Sequence, residues 1–538
     1  MPTLVQTNRY DYIVVGAGSA GCVLANRLSE SGRFSVLLLE AGPRDNYLWI
    51  HLPIGYAKTM FHPVYNWGFY TEPEPAMNNR PVYWPRGRGL GGSSSINGLI
   101  YVRGQHQDYD HWAALGNAGW GWDDVLPYFI KCEGNSRGAS AYHGADGPLA
   151  CSDIGETHPL MDAIIAGGNE LGIARNDDFN GAQQEGVGYY QLFTRNGWRC
   201  STAAGYLKPA LKRANLRVET EARATSLVME GRHAVGVRYR QHGIEHEARA
   251  TREVLLAAGA LQSPQLMQLS GLGRASFLQS HGIAVAHDLP GVGENLQDHL
   301  QARVMYKVKQ PITINDDLRS LWGRAKMGWK WLAHRTGPLA IGINYGGMFT
   351  RALPQAATPD IQFHFAALSA EMAGAKTHPW PGCTFSMCQL RPTSRGTVML
   401  KSRDPLAAPA MRANYLSTEI DCTTMVEGVK VARRLARTRA LADLIGEEYR
   451  PGAGVQSDDE ILEFVRNYGA TIFHPVGTCK MGADPLAVVD VQLKVHGVAG
   501  LRVVDASVMP TLVSGNTNAP VVMIAEKAAD MILQDAAR

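Results

Sequence analysis

The 538-residue chain lacks the marks of a metal centre, a disulfide framework, a membrane span or a nucleic-acid surface. Its eight cysteines (Cys22, Cys132, Cys151, Cys200, Cys383, Cys388, Cys422 and Cys479) form no C-x-x-C pair and no His/Cys grouping with zinc spacing. They are expected to be mostly buried thiols, with no metal bound. No run of about 18 apolar residues occurs, so no helix is expected to span a bilayer. The opening MPTLVQTNRY has no apolar core of a signal peptide, which argues for a cytoplasmic protein. Peripheral contact with the inner membrane face stays open. Charge of one sign is also in short supply: 52 Lys and Arg face 49 Asp and Glu, scattered without long runs. That excludes a basic stripe for nucleic acid and points to small-molecule partners. There is no internal repeat and no low-complexity tract.

What the chain does have is glycine in a meaningful frame. The apolar run Tyr12 to Val15 ends at Gly16, and Gly18 and Gly21 complete G-x-G-x-x-G as a helical pattern begins. Gly16 allows the tight turn, Gly18 lets backbone approach a pyrophosphate, Gly21 lets helix and strand pack closely, and the helix N-terminus offers free N–H groups to phosphate. A second apolar run, Val36 to Leu39, ends in Glu40, placed to accept hydrogen bonds from a ribose diol. The unit predicts a dinucleotide site and leaves NAD and FAD open.

From Pro43 to Pro85 the chain is irregular and rich in Pro and aromatics, which reads either as a pinned surface excursion or as a gate, with Met60 to Tyr70 its moving part. The following GRGLGGSSSINGLIYVRG, Gly87 to Gly104, offers many backbone donors and little bulk, as a loop laid against a phosphate or ring would. Asn215 to Gly236 alternates as strands do. IGINYGGMFT, DIQFHFAAL, CTFSMCQL and GTVMLKS read as strands of an antiparallel sheet roofing a pocket, and Ser417 to Thr438 has helical spacing. Pro475 biases His474 toward an extended backbone, so its imidazole projects from a loop. Asn518 stands before the apolar periodicity Val521 to Ala528, where an N-cap role is adequate by itself.

Several of these stretches resemble the glucose-methanol-choline (GMC) flavoprotein oxidoreductases. The first signature runs from Arg88 through Gly91, Gly92, Ser93, Ser94, Ile96 and Asn97 to Asp110, and a second is Gly259 to Gly273. NGWRCSTAAGYLKP, DLPGVGENLQDH, TIFHPVGTCKMG and VVDASVMPTLVSGNTNAP extend the resemblance over essentially the whole chain. It implies an α/β fold: a Rossmann-like FAD-binding domain from residues 1–155, 190–300 and 470–538, and a substrate domain on an antiparallel sheet with helices from 156–189 and 301–469. It places FAD against Gly16, Gly18, Ser19, Ala20 and Gly21, with Glu40, Ala41 and Ala222 toward the adenosine. Arg88, Gly92, Ser93, Asn97 and Gly98 belong to the signature loop. Ala258, Gly259, Asp505, Ala506, Asn518 and Ala519 complete the expected cofactor contacts.

A lone histidine is more often structural, but family members place their catalytic base in the H-P motif, so the resemblance makes His474 the base and Asn518 its partner. His474 would take the hydroxyl proton while hydride passes to flavin N5, giving an aldehyde. Ile96 occupies the position of the histidine that attaches flavin covalently in some members, so FAD is expected to be held without a bond. The sub-branch resembled is that of bacterial alcohol and choline dehydrogenases, which implies a primary alcohol substrate and a quinone or similar acceptor. An oxidase, a choline dehydrogenase with Trp331, Phe363, Phe365 or Glu371 around the ammonium, and a hydroxynitrile lyase are the alternatives. Ile472 is a candidate wall against oxygen. A monomer or homodimer is expected.

Overall fold

The computed structural model describes residues 8–372 and 374–538. Its first sheet is built around β1 (Asn8–Val15), which pairs in parallel with β2 (Val36–Leu39) on one side and with Ile244–Leu256 on the other. The strand Leu216–Glu219 extends the β2 edge in parallel, and Ala222–Glu230 and His233–Gln241 follow Ile244–Leu256 as an antiparallel ribbon. Leu501–Val503 joins Ile244–Leu256 in parallel, so the beginning, middle and end of the chain share one sheet. All four residues of β2 are buried, as a parallel strand covered on both faces requires.

Helix α1 (Ser19–Ser29) packs on this sheet and against the C-terminal helix Asn518–Asp535. Arg27 reaches Glu526 at 2.7 Å, and Tyr206 donates to the same carboxylate at 2.7 Å. Glu526 is fully buried, so its charge depends on these partners.

The second sheet is antiparallel, in the order Ile445–Arg450, Leu300–Val308, Gly382–Gln389, Ile361–Ala366, Asn344–Thr350, Gly186–Tyr189. Ala470–Thr471 pairs with the start of Leu300–Val308 and delivers the H-P loop to that edge. Along Leu300–Val308, Ala302, Val304 and Tyr306 enter a core that the helix Glu419–Ala436 covers. Gln301, Arg303 and Met305 line a cavity on the other face. One expected strand belongs elsewhere: Thr397–Met399 of GTVMLKS pairs with Ala410–Arg412 in a sheet of its own. Of the cysteines, all but the partly exposed Cys422 are buried, and all are free.

Candidate active site

Between the two sheets lies a cavity of about 660 Å³ that runs from the glycine fingerprint to the H-P loop. At the fingerprint end, Gly16 has φ +101°, and a Cβ on Gly21 would lie 1.8 Å from the Gly16 carbonyl oxygen, so helix and strand touch here backbone to backbone. Gly18 is different: a Cβ there would meet nothing nearer than 3.9 Å. Its bare backbone borders open space at the start of α1, as a pyrophosphate cradle requires.

Glu40 lines the cavity but also ties the surrounding loops together. Its Oε1 accepts from the N–H groups of Gly42 (2.8 Å) and Gly89 (2.9 Å), and its Oε2 from that of Ala17 (2.9 Å). Burial pushes its carboxyl above the usual range against the pull of these donors. Oε2 keeps acceptor capacity for a ribose hydroxyl. The signature loop turns at Gly92–Ser95 and presses on α1: a Cβ on Gly92 would sit 2.7 Å from Gly18 Cα. Asp505 accepts from Gly259 N–H (2.9 Å), Ser263 Oγ (2.5 Å) and Ser507 N–H (2.8 Å), which locks the last strand to the helix Gly259–Leu269.

At the other end, His474 is buried and its loop is clamped. Its N–H donates to Asp298 Oδ1 at 2.7 Å, Asp298 Oδ2 accepts from Thr471 Oγ1 at 2.6 Å and from the Tyr415 hydroxyl, and Arg86 donates to Phe473 O at 2.6 Å. Burial raises the Asp298 carboxyl to about 6, while these donors hold it down. The ring of His474 is fixed in turn. His299 Nε2 lies 3.1 Å from Leu390 O, which can only accept, so that nitrogen carries the proton. Burial lowers His299 to about 4, so the ring is neutral and its Nδ1 is an acceptor. His474 Nδ1, 3.0 Å away, therefore donates to it. His474 is held well below the ordinary histidine range by burial and by His299, His364 and Arg86, so its Nε2 presents a lone pair.

That lone pair meets Asn516, not Asn518. Asn516 Nδ2 is 3.3 Å from His474 Nε2, and Gln362 Nε2 donates to Asn516 Oδ1 at 3.3 Å and to the Tyr190 hydroxyl at 3.0 Å, which orients the amide. Asn518 begins the C-terminal helix, and its Oδ1 accepts from Ser19 Oγ at 2.7 Å, joining the two helices at the fingerprint. The sequence reading put the partner two residues too late. Asn518 precedes the helical periodicity directly, whereas Asn516 lies in the loop that Gly515 turns at φ +152°. His364 also faces the cavity: neither ring nitrogen has a partner among the described residues, and burial lowers it to about 3.

Of the expected cofactor contacts, Gly16, Gly18, Ser19, Ala20, Glu40 and Ala41 border the cavity, as do Gly92, Ser93, Asn97, Gly98 and Ala222. Ala258, Gly259, Asp505, Ala506 and Asn518 border it too. Three do not. Gly21 is under β1, the Arg88 guanidinium turns 5.1 Å from the Trp67 ring, and Ala519 is buried in the core. Phe363 and Phe365 are core residues, and Trp331 donates to Gly197 O, so an ammonium cage does not form from them. Glu371 lines the cavity but is paired with Arg450 and His378. Met60, Phe61, Trp67 and Tyr70 form one wall, braced by Phe61 stacked on Tyr83 at 5.3 Å. The sequence reading missed Asp298, His299, Gln362, His364 and Asn516. Alternation along Leu300–Val308 puts residues 299, 301, 303 and 305 on one face, a signal that was available for His299.

Family models described as GMC oxidoreductase match residues 10–301 and 392–525. The alcohol dehydrogenase [acceptor] of Pseudomonas putida is 45% identical over 529 residues, covering 98% of this chain and 96% of that one. The oxygen-dependent choline dehydrogenase of Cronobacter sakazakii is 45% identical over 531 residues, covering 97% and 95%. Among solved structures, pyridoxine 4-oxidase from Mesorbium loti superposes with TM-score 0.88 at 31% identity, covering 97% and 98%. A formate oxidase of Aspergillus oryzae, studied for its FAD modification, gives 0.92 at 27% identity, covering 98% of both chains.

Proposed function

The chain belongs to the GMC oxidoreductase family, and from that premise we propose that it oxidises an uncharged primary alcohol, aliphatic or benzylic, to the aldehyde. The observation that carries the reading is the bare Nε2 of His474 beside the Asn516 amide in a cavity that also reaches the glycine fingerprint. FAD is the group the fingerprint end fits: Gly18 leaves room at the α1 N-terminus, Glu40 Oε2 keeps an acceptor for a ribose, and Ile96 offers no nucleophile for a covalent link. When bound, FAD supplies the hydride acceptor at flavin N5.

His474 Nε2 takes the hydroxyl proton as hydride leaves the carbinol carbon, a role for which its depressed basicity keeps it unprotonated at neutral pH. The proton arrives on Nε2 while Nδ1–H stays on His299, so the base needs no tautomer change during the step. The Asn516 amide donates to the alkoxide oxygen as charge grows there, and His364, whose ring nitrogens have no partner among the described residues, supplies a second contact to that oxygen. The first turn of the C-terminal helix lines the cavity with Asn518 and Val521, where its positive end would favour negative charge on a bound flavin.

Choline is the weaker reading. The charged side chains facing the substrate end include Arg303 and Arg450, while Glu371 is already paired, so an ammonium meets net positive charge. Arg303 makes one hydrogen bond among the described residues, 3.4 Å to Glu371 O, and is otherwise presented to the cavity. A quinone or similar acceptor is proposed for reoxidation, with Ile472 as part of the wall near the base. Anaerobic mixing with a panel of alcohols, followed by reoxidation with air or a quinone, tests the reading. Fast flavin bleaching by alcohols with slow aerobic recovery supports a dehydrogenase. Fast recovery in air makes it an oxidase, and aldehyde released from a cyanohydrin without bleaching makes it a lyase.

A further inference from the structure

The helix Leu321–His334 stands outside the cavity, and its outer face is apolar. Its inner side rests on Gly323 and Met327, both buried, and on half-buried Trp331, whose ring meets Trp198 edge-on at 4.6 Å. At about 100° per residue, Leu321, Leu332, Ala325, Trp329, Trp322 and Ala333 fall in that order on one unbroken arc of the opposite side. Leu321 is 83% exposed, Trp322 80%, Trp329 67% and Leu332 64%. Single exposed apolar side chains are ordinary on a protein, but a contiguous stripe with two tryptophans marks a contact surface.

Cations flank the stripe. Lys326 and Lys330 follow one edge and Arg324 and Arg335 the other, and the helix contains no Asp or Glu. Of these four, only Lys330 has a carboxylate partner among the described residues, Glu156 at 2.7 Å. Arg324 donates to Leu318 O, and Arg335 lies 4.3 Å over the Trp331 ring, so both are held along the edge with their charge unpaired. Tryptophan rings prefer the level of lipid headgroups, and long cationic side chains extend from an apolar face to phosphates.

We propose that this helix lies flat in the surface of an anionic phospholipid bilayer, with Leu321, Trp322, Trp329 and Leu332 at the headgroup–acyl boundary and the flanking cations on lipid phosphates. No helix among the described residues is long and apolar enough to cross a membrane, so the attachment is peripheral. A second copy of the chain fits the face less well. In a two-fold contact the stripe would meet itself, and every flanking charge brought together would be positive. The inference does not depend on what the cavity oxidises.

Co-sedimentation of the FAD-loaded protein with vesicles tests it. Phosphatidylcholine vesicles containing about one-third phosphatidylglycerol should bind the protein at low salt, and pure phosphatidylcholine about tenfold less. Raising salt should release it, because the flanking charges are exposed and screened. The double variant Trp322→Gln, Trp329→Gln should bind anionic vesicles about tenfold more weakly at unchanged flavin content and unchanged alcohol oxidation with a soluble dye. Wild-type protein left in the supernatant with anionic vesicles overturns the proposal, as does a double variant that sediments like wild type. A wild-type dimer that the double variant splits, without vesicle binding by either, makes the face a contact between copies instead.

Discussion

His474 keeps its proton on Nδ1 because His299, itself donating to Leu390 O, has only a lone pair to offer there. Two hydrogen bonds behind the ring thus decide which nitrogen can act in front of it. His474→Ala should leave the protein yellow and folded yet cut flavin reduction by alcohol at least about a hundredfold, read by stopped-flow bleaching. Asn516→Ala and Asn518→Ala should separate. The first slows bleaching about tenfold or more with FAD retained, because it removes a donor to the developing alkoxide. The second weakens FAD retention, because it breaks the Ser19 contact at the fingerprint. Equal effects of both on bleaching alone would remove the distinction. Since His474 is held well below the histidine range, bleaching rate should be flat above about pH 6.5 and fall only on further acidification. A fall centred at or above that pH would mean an ordinary imidazole. His474 was legible because Pro475 fixes its posture and because the H-P motif resembles the place where family members carry their base; a lone histidine by itself would have read as structural. Asn516 was not, since two asparagines flank Thr517 and helical periodicity favours the later one.

Among the elements, the contact of α1 with the C-terminal helix couples the phosphate end of the site to the end of the chain. Glu526 is the buried centre of that contact, with Arg27, Tyr206 and Lys131 around it. Glu526→Ala leaves Arg27, itself only 17% exposed, with just the exposed Glu30 at 3.6 Å as a carboxylate neighbour, a loss of up to about 3 kcal/mol for a broken, largely buried pair. The expected outcome is a lower melting temperature together with flavin lost on gel filtration. An unchanged melting temperature would show that packing alone holds the helices. Strands that alternate or run continuously apolar were readable one by one, including Ile361–Ala366 and Gly382–Gln389. The partner of a strand was not: GTVMLKS has the same local look as its neighbours, and only its pairing with Ala410–Arg412, a short segment with no strand signature of its own, takes it out of their sheet. Local periodicity reports which face is covered, not which strand covers it.

For the molecule as a whole, acid sensitivity follows from the buried histidines. His299 and His364 are lowered to about 4 and about 3, and His474 is lowered as well, all led by burial. Below about 6.5 the unfolded chain takes up protons at these positions and the folded chain does not, so stability should fall from that pH toward 4. Asp298, raised to about 6, acts in the opposite sense, since the folded state binds its proton first. Around the H-P loop, where three lowered histidines stand against this one raised carboxylate, the local contribution slopes downward on acidification, and melting curves of the wild type against His364→Asn across this range isolate one histidine's share of it. Acid precipitation should also leave FAD in the supernatant, because Ile96 cannot bond to it; yellow colour in the pellet would contradict a non-covalent cofactor.

The sequence by itself determined the glycine fingerprint between its strand and helix, because turn geometry and helix entry leave few alternatives there, and the family, whose signatures recur along nearly the whole chain; it also singled out His474, the base proposed above. Tertiary structure alone decided which nitrogen of His474 is unprotonated, which asparagine faces it, and that His364 stands in the cavity with no partner among the described residues. Those facts depend on groups brought together from residues 190 to 516 by pairing across the second sheet, and hydrogen-bond direction there is settled by what each neighbour can donate or accept.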